Sequence, residues 1–302
     1  MKDMRHITAE DIAFKLSPCI NASGRLNRRG AELPLIMLLE TRANDAERLA
    51  RQIITINEQR KKIQQNAFQT ILPEAEKRIA EGDKVIVLCA KDAPSGVVGL
   101  LSGNLKEEFN RPSIVFASKQ NADGKTVWTG SARSVDGFHI LNAIESCKDL
   151  VLGYGGHMMA AGLTIEADEK ALESFRAAIN MQASNLPADP EQTLQWDLEV
   201  PYDVIGDSFF SEMERLEPFG AGVPKPLIKV TAELNNDTAY KISSEKHLRL
   251  YTSRYDLVGF FLAQKYLSEE LPEKVTLIGS LSMNYYFGDG KREIKMTDFV
   301  AA

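Results

Sequence analysis

The residues best suited to chemistry in this chain fall in two short runs. In the first, Leu152-Gly153-Tyr154-Gly155-Gly156-His157-Met158-Met159-Ala160-Ala161-Gly162, two adjacent glycines precede a histidine and the run closes on small residues. Glycine admits backbone conformations and close approaches that a Cβ would block. Successive N–H groups in such a turn form an anion-binding concavity, and the histidine adds a donor or proton-transfer group beside it. Taken alone, the run is more simply a glycine turn with an ordinary satisfied histidine. The second run, Gly130-Ser131-Ala132-Arg133-Ser134, follows the strand-like Thr126-Val127-Trp128-Thr129. An arginine fork flanked by two hydroxyls and an accessible glycine amide supplies charge-assisted, planar donors suited to a phosphate.

The elements that must position these runs can be read along the chain. In residues 1–40, Ser17-Pro18 and Ser23-Gly24 read as turns beside the basic cluster Arg25, Arg28 and Arg29, which by itself reads as a solvated loop. Leu33 to Leu39 reads as a short buried helix begun by Pro34. A long helix follows from Asp45 to Leu72, with Asn44 as N-cap and Glu47 as its capping-box partner. Its stripe runs through Ala46, Leu49, Ala50, Ile53, Asn57, Arg60, Ile63 and Ala67, and the helix spans roughly 40 Å. Pro73 is expected to kink or restart it and Gly82 to end it. Arg60, Lys61 and Lys62 read most simply as a solvated face.

Residues 83–186 alternate strand-like and helix-like segments, as in a compact α/β domain. Strands are expected at Val85–Leu88, Ile114–Ala117, Thr126–Ala132 and Gly162–Glu166, and helices at Ser95–Phe109, Phe138–Ser146 and Glu169–Ala183. Asn185-Leu186-Pro187-Ala188-Asp189-Pro190 has the composition of a linker. Beyond it come five strand-like runs, Leu227–Leu234, Leu248–Thr252, Leu257–Leu262, Val275–Leu281 and Glu293–Phe299, which suit a small barrel. Trp196, Tyr251, Tyr255, Phe260, Phe261, Tyr285, Tyr286 and Phe287 are available there for base stacking, although most aromatics at strand spacing are core. The expected organisation is therefore an α/β chain in three parts: 1–82 with the bridging helix, 83–186 as binding domain, and 187–302 as a five-stranded barrel.

Hydrophobic content of 44% and charged content of 26% over 302 residues are those of a soluble globular protein. Cys19, Cys89 and Cys147 are isolated, so neither a disulfide framework nor a zinc site is implied. No apolar run of about eighteen residues occurs, so no membrane partner and a cytoplasmic location are expected. The net charge of −6 conceals an asymmetry: 14 basic against 10 acidic residues in 1–80, 10 against 13 in 81–186, and 12 against 19 in 187–302. Phosphate binders usually carry a basic footprint, so the net charge counts mildly against nucleic acid, although the positive charge is concentrated at the front and a narrow basic groove is compatible with an acidic exterior.

Together the two runs resemble the "GSxRS … GGHxxAAG" pair of the DHHA1 domain, the substrate-binding half of DHH-family phosphoesterases. Asn21-Ala22-Ser23-Gly24-Arg25-Leu26 resembles the "NAxGRL" signature of the RecJ family of single-strand-specific 5′ to 3′ DNA exonucleases. Glu217-Pro218-Phe219-Gly220-Ala221-Gly222-Val223-Pro224-Lys225-Pro226 resembles that family's "EPFGxGNPxP" lead-in to its OB-fold, with Val223 as a departure. A second departure is Asp92-Ala93-Pro94-Ser95, where the family carries Trp-His. The resemblance implies single-stranded DNA as partner, held by Arg25, Gly130, Ser131, Arg133, Ser134, Gly155, Gly156 and His157, with the long helix bridging the catalytic and binding halves and its Arg60, Lys61 and Lys62 able to face the strand. It also implies a DHH catalytic domain, or DNA repair and replication proteins, as further partners. No Asp-His-His or Asp-x-Asp occurs, and His6, His139, His157 and His247 are scattered. The Mn or Mg of the family is therefore expected on a DHH domain rather than on these residues, and the chain alone is expected to be inactive. The alternatives are a small-substrate DHH-type phosphodiesterase and a non-catalytic, regulatory or protein-interaction relative.

Overall fold

The structure, a computed structural model, describes residues 7–301 except 28, 189, 191–192, 235–238, 244, 253, 269–273 and 286–289. Contacts divide the chain into two compact units, one of Leu16–Gln192 and one of Met1–Lys15 with Thr193–Ala302. A single turn, α1 (Ala9–Asp11), belongs to the latter and is closed by a reciprocal cap between Thr8 and Asp11.

The larger unit opens with three helices. Helix α2 (Ser17–Leu26) contains the stretch that reads as turns in the sequence. Pro18 stands in its first turn, where the missing N–H is an orphan in any case. Helix α3 (Glu32–Leu39) is not the buried helix expected: Pro34 is buried, while Leu35, Ile36, Leu38 and Leu39 are exposed. Helix α4 (Ala43–Ala80) runs 38 residues, about 57 Å, straight through Pro73. Its N-cap is Arg42 rather than Asn44, without a side-chain cap bond. Ile71 and Ala75, on either side of Pro73, are buried against Ile86, Leu88, Leu101 and Val115, and this packing outweighs the lost ladder bond.

A five-stranded sheet follows, ordered β1-β2-β3-β5-β4, from β1 (Ile86–Cys89), β2 (Ser113–Gln120), β3 (Thr126–Arg133), β4 (Gly153–His157) and β5 (Ala160–Glu166). Only β1 and β2 pair in parallel, joined by the crossover helix α5 (Val98–Phe109). The sheet alternates strictly. Val87, Ile114, Phe116, Ala132, Ala161, Leu163 and Ile165 face a core built with α6 (Ile140–Glu145) and α7 (Glu169–Gln182). Ile86, Leu88, Val115 and Ala117 face α4 and α5. That second face continues past the helices onto β3, β5 and β4.

The smaller unit holds β6 (Leu198–Glu199), α8 (Asp207–Glu214), β7 (Ile228–Glu233), β8 (Tyr240–Ser243), β9 (His247–Tyr251), β10 (Asp256–Gly259), α9 (Ala263–Ser268), β11 (Lys274–Asn284) and β12 (Lys291–Ala301). All five expected strands form, and the short β6 and β8 extend the hydrogen-bonded order to seven, β6-β7-β11-β12-β10-β9-β8. Among the described residues β6 and β8 do not pair with each other, so the ladder is open. Val230, Ala232, Leu250, Leu257, Leu277, Ile294 and Phe299 form its core. Across one face Arg249 donates to Asp256 Oδ2 at 2.7 Å and Glu293 Oε1 at 2.6 Å, and both carboxylates are buried.

Candidate nucleic-acid interface

The two sequence runs are neighbours in the sheet. Gly155-Gly156-His157 is not a turn: it is the edge strand β4, hairpinned to β5 through Met158 and Met159. Register aligns Ser131 with Gly162 and Gly155, and Arg133 with Ala160 and His157. Residues directly opposite share a face. One face therefore carries Arg133 at one side, His157 at the other, and a floor of Ala160, Gly162 and Gly155 between them, with Ser131 beside the arginine.

The glycines of this floor are not required by the protein's own packing. A Cβ on Gly155 would meet nothing within 4 Å, and one on Gly162 only Gly130 O at 3.9 Å. Glycine weakens a strand interior unless something else comes close. Gly156 differs: its φ is +153°, and a Cβ there would lie 2.4 Å from Ala160 O and 2.5 Å from Ala161 Cα. It allows the hairpin to close. Gly130 is likewise structural, since a Cβ would strike the Phe116 ring at 2.6 Å.

Arg133 is half-buried and donates through Nη1 to Ala132 O at 2.8 Å and Ser131 Oγ at 3.2 Å. A Cβ on Gly99, in the first turn of α5, would stand 3.1 Å from Arg133 Nη2, so the guanidinium is bracketed by that turn. Arg25, in the last turn of α2, reaches the same place and donates from Nη1 to Gly96 O at 3.1 Å. Gly96 admits this closeness, because a Cβ would lie 2.0 Å from Arg25 O. Burial first, and then the neighbouring Arg25, pull the Arg133 guanidinium below its ordinary value.

The eight residues singled out in the sequence thus separate. Arg25, Ser131, Arg133, Gly155 and His157 gather at one face. Ser134 departs from the phosphate role: it is 2% exposed, its Oγ donates to Phe138 O at 2.6 Å, and the two-residue period turns it away from Arg133. Gly130 and Gly156 hold the sheet together beneath. Gly162, read in the sequence as one of the small residues that let a ligand come close, joins the floor, whereas Arg60, read most simply as part of a solvated face, is enclosed. Arg60 is in fact 8% exposed, donating to Asn57 Oδ1 at 2.6 Å and Gln64 Oε1 at 2.7 Å, while Lys61 and Lys62 are less enclosed. Its place in the helical stripe, beside Asn57, was the available signal.

In the smaller unit Trp196, Tyr251, Phe260 and Phe261 are exposed, whereas Tyr255 is core. Phe261 has φ +64° and its N–H donates to His247 Nδ1 at 3.3 Å. Tyr285 donates to Glu214 Oε1 at 2.7 Å, and Tyr286 and Phe287 lie outside the described residues. Among the described residues no three His, Cys, Asp or Glu side chains converge to hold a metal ion. No described helix is long and apolar enough to cross a membrane.

Residues 82–185 match the DHHA1 domain family and residues 196–298 the RecJ OB domain family. A DHHA1 domain followed by a RecJ OB domain places the chain in the class of DHHA1-domain proteins. Within that class it belongs to the RecJ family, corresponding to the C-terminal portion that bears these two domains. The single-stranded-DNA-specific exonuclease RecJ of Bacillus subtilis is 27% identical over 98% of this chain and 37% of its own length. The RecJ of Thermus thermophilus is 30% identical over 96% and 40%, and that of Salmonella typhimurium 34% over 98% and 52%. The crystal structure of Thermus thermophilus RecJ in complex with Mn2+ superposes with a TM-score of 0.78 at 27% identity, covering 98% of this chain and 42% of that one. The chain therefore spans between about a third and a half of the length of the relatives it matches.

Proposed function

We propose that this chain is the single-stranded-DNA-binding portion of a RecJ-like 5′ to 3′ exonuclease acting in repair or recombination, and that hydrolysis is carried out by Mn or Mg on a DHH domain. The observation that carries this reading is the glycine and alanine floor between Arg133 and His157. Its backbone can be approached closely and a phosphate-seeking fork stands at its edge. Arg133, oriented by its bond to Ala132 O and with Ser131 beside it, holds a backbone phosphate. Arg25 holds a second, and the strand lies along Gly155 and Gly162 with His157 donating to a neighbouring phosphate oxygen. Affinity then comes mainly from phosphate contacts and falls with salt. A small-substrate phosphodiesterase would need neither the long helix α4 nor the OB domain.

The second reading, a protein-interaction role for the smaller unit, is favoured by the acidic balance of residues 187–302. Binding of a 5′-phosphorylated fluorescent single strand and of the matching duplex, across a salt series with manganese and with product length followed, decides between them. Salt-sensitive preference for the single strand without cleavage is expected. Absence of any binding would refute the DNA reading and leave the interaction role.

A further inference from the structure

Arg60 is a buried guanidinium that, among the described residues, forms no ion pair with a carboxylate. Buried arginines are almost always paired, and Arg249 and Arg176, both largely enclosed, follow that rule. Arg249 has Asp256 and Glu293, and Arg176 has Asp83 and Glu173. Arg60 instead has two amide oxygens, Asn57 Oδ1 and Gln64 Oε1. These are themselves fixed: Asn57 Nδ2 donates to Cys19 Sγ at 3.3 Å in α2, and Gln64 Nε2 to Asn104 Oδ1 at 3.4 Å in α5. The head is held by neutral dipoles tied to three helices. Burial, and after it the nearby Arg25, push the Arg60 guanidinium below its ordinary value.

Arg25 in turn sits beside Arg133, with Gly96 and Gly99 of one loop and helix start touching the two side chains. Asn57 ties the Arg60 head to α2, whose last turn carries Arg25, and Gln64 ties it to α5, whose first turn brackets Arg133, so three cations from α2, α4 and β3 are held by one group of helices. Among the described residues none of them forms an ion pair with a carboxylate. Like charges gathered in a partly dehydrated place raise the energy of the unliganded protein and lower it when an anion arrives.

We propose that Arg60 is a third cation of the anion site: without touching the phosphate, it supplies positive potential that strengthens the hold of Arg25 and Arg133 on a phosphate dianion or a strand backbone. This rests on the reading that the Arg133 face binds phosphate. Arg60 is on this view a positioning residue, kept charged and dry by Asn57 and Gln64 so that its field is not screened by water.

The test uses the full chain, inorganic pyrophosphate as the probe, and the variants Arg60→Gln and Arg60→Lys. Glutamine keeps an amide donor for Asn57 and removes the charge; lysine keeps the charge. Thermal unfolding across a pyrophosphate titration is expected to show wild type stabilised, Arg60→Lys stabilised comparably, and Arg60→Gln needing about tenfold more pyrophosphate for the same shift. In phosphate-free buffer Arg60→Gln should melt no lower than wild type. The proposal is overturned if wild type gives no pyrophosphate shift, if Arg60→Gln responds as wild type does, or if Arg60→Gln melts lower or fails to fold in phosphate-free buffer. Single-strand binding measured on the same samples keeps the two ideas apart: an Arg60-dependent pyrophosphate shift without strand binding would leave the anion site standing and remove the nucleic-acid reading.

Discussion

Arg133 and His157 stand in one cross-strand row, with Ala160 between them. Two strand spacings separate their backbones by about 10 Å. The row sets a phosphate-binding fork and a hydrogen-bond donor at opposite sides of a floor from which no large side chain rises. Because Arg133 alone carries a permanent charge in that row, Arg133→Ala should weaken single-strand binding and flatten its dependence on log salt by about 0.7, the share of one phosphate. Fluorescence anisotropy over a salt series measures this, and an unchanged slope would remove Arg133 from the interface.

The glycines of β4 should separate by substitution. Gly155→Val enters open space on an extended strand, so stability should hold or rise by up to about 1 kcal/mol while strand binding falls because the floor is raised. Gly156→Ala must adopt a φ that L residues rarely take and would strike the β5 backbone, so it should cost about 2 kcal/mol. Parallel melting and binding curves check both. A Gly155→Val protein that binds normally would contradict a strand lying on that surface.

Arg249→Met should destabilise the smaller unit by about 3 kcal/mol, because Asp256 and Glu293 would stay buried with less compensation. Lys291, 2.8 Å from Asp256, and Asn284, 2.8 Å from Glu293, remain and limit the loss. Denaturant unfolding of the full chain gives the value, and a change under about 1 kcal/mol would mean that these two residues suffice.

Burial pushes the Cys89 thiol up to about 12, against the opposing pull of Lys91. At pH 8 its thiolate fraction in the folded state is about a thousandfold below that of an ordinary thiol, so alkylation should be slow until the chain unfolds. An acid whose folded value is raised binds its proton more tightly when native. Its stabilising effect is therefore complete below the unfolded value near 9 and is lost as pH rises toward 12. Mass spectrometry after iodoacetamide pulses at pH 8, native and in urea, reads the protection. Equal labelling in both would show Cys89 to be accessible.

Much of this was legible in the sequence, for reasons that individual residues make plain. Val115 and Ile114 face opposite cores, in keeping with their short β-branched run, and the long helix is visible in its stripe. The Gly-Gly-His run misleads because glycine has poor strand propensity, and it is a strand only through its pairing with β5. Ser134 and Arg133 look alike as phosphate ligands until alternation separates them. Arg60 is hidden because a cation in an apolar stripe reads as an interruption. Its burial depends on α2 and α5, which lie far from it in sequence. Pro73 likewise suggests a break that tertiary packing overrides.

The floor of Gly155, Ala160 and Gly162 also bears on how a strand would travel. It offers no side-chain donor or acceptor to a base edge, so it cannot tell one letter from another, and each successive nucleotide would meet the same smooth ground. Traction is left to the charges at the margin. A strand lying there could then shift by one phosphate at a time with little friction.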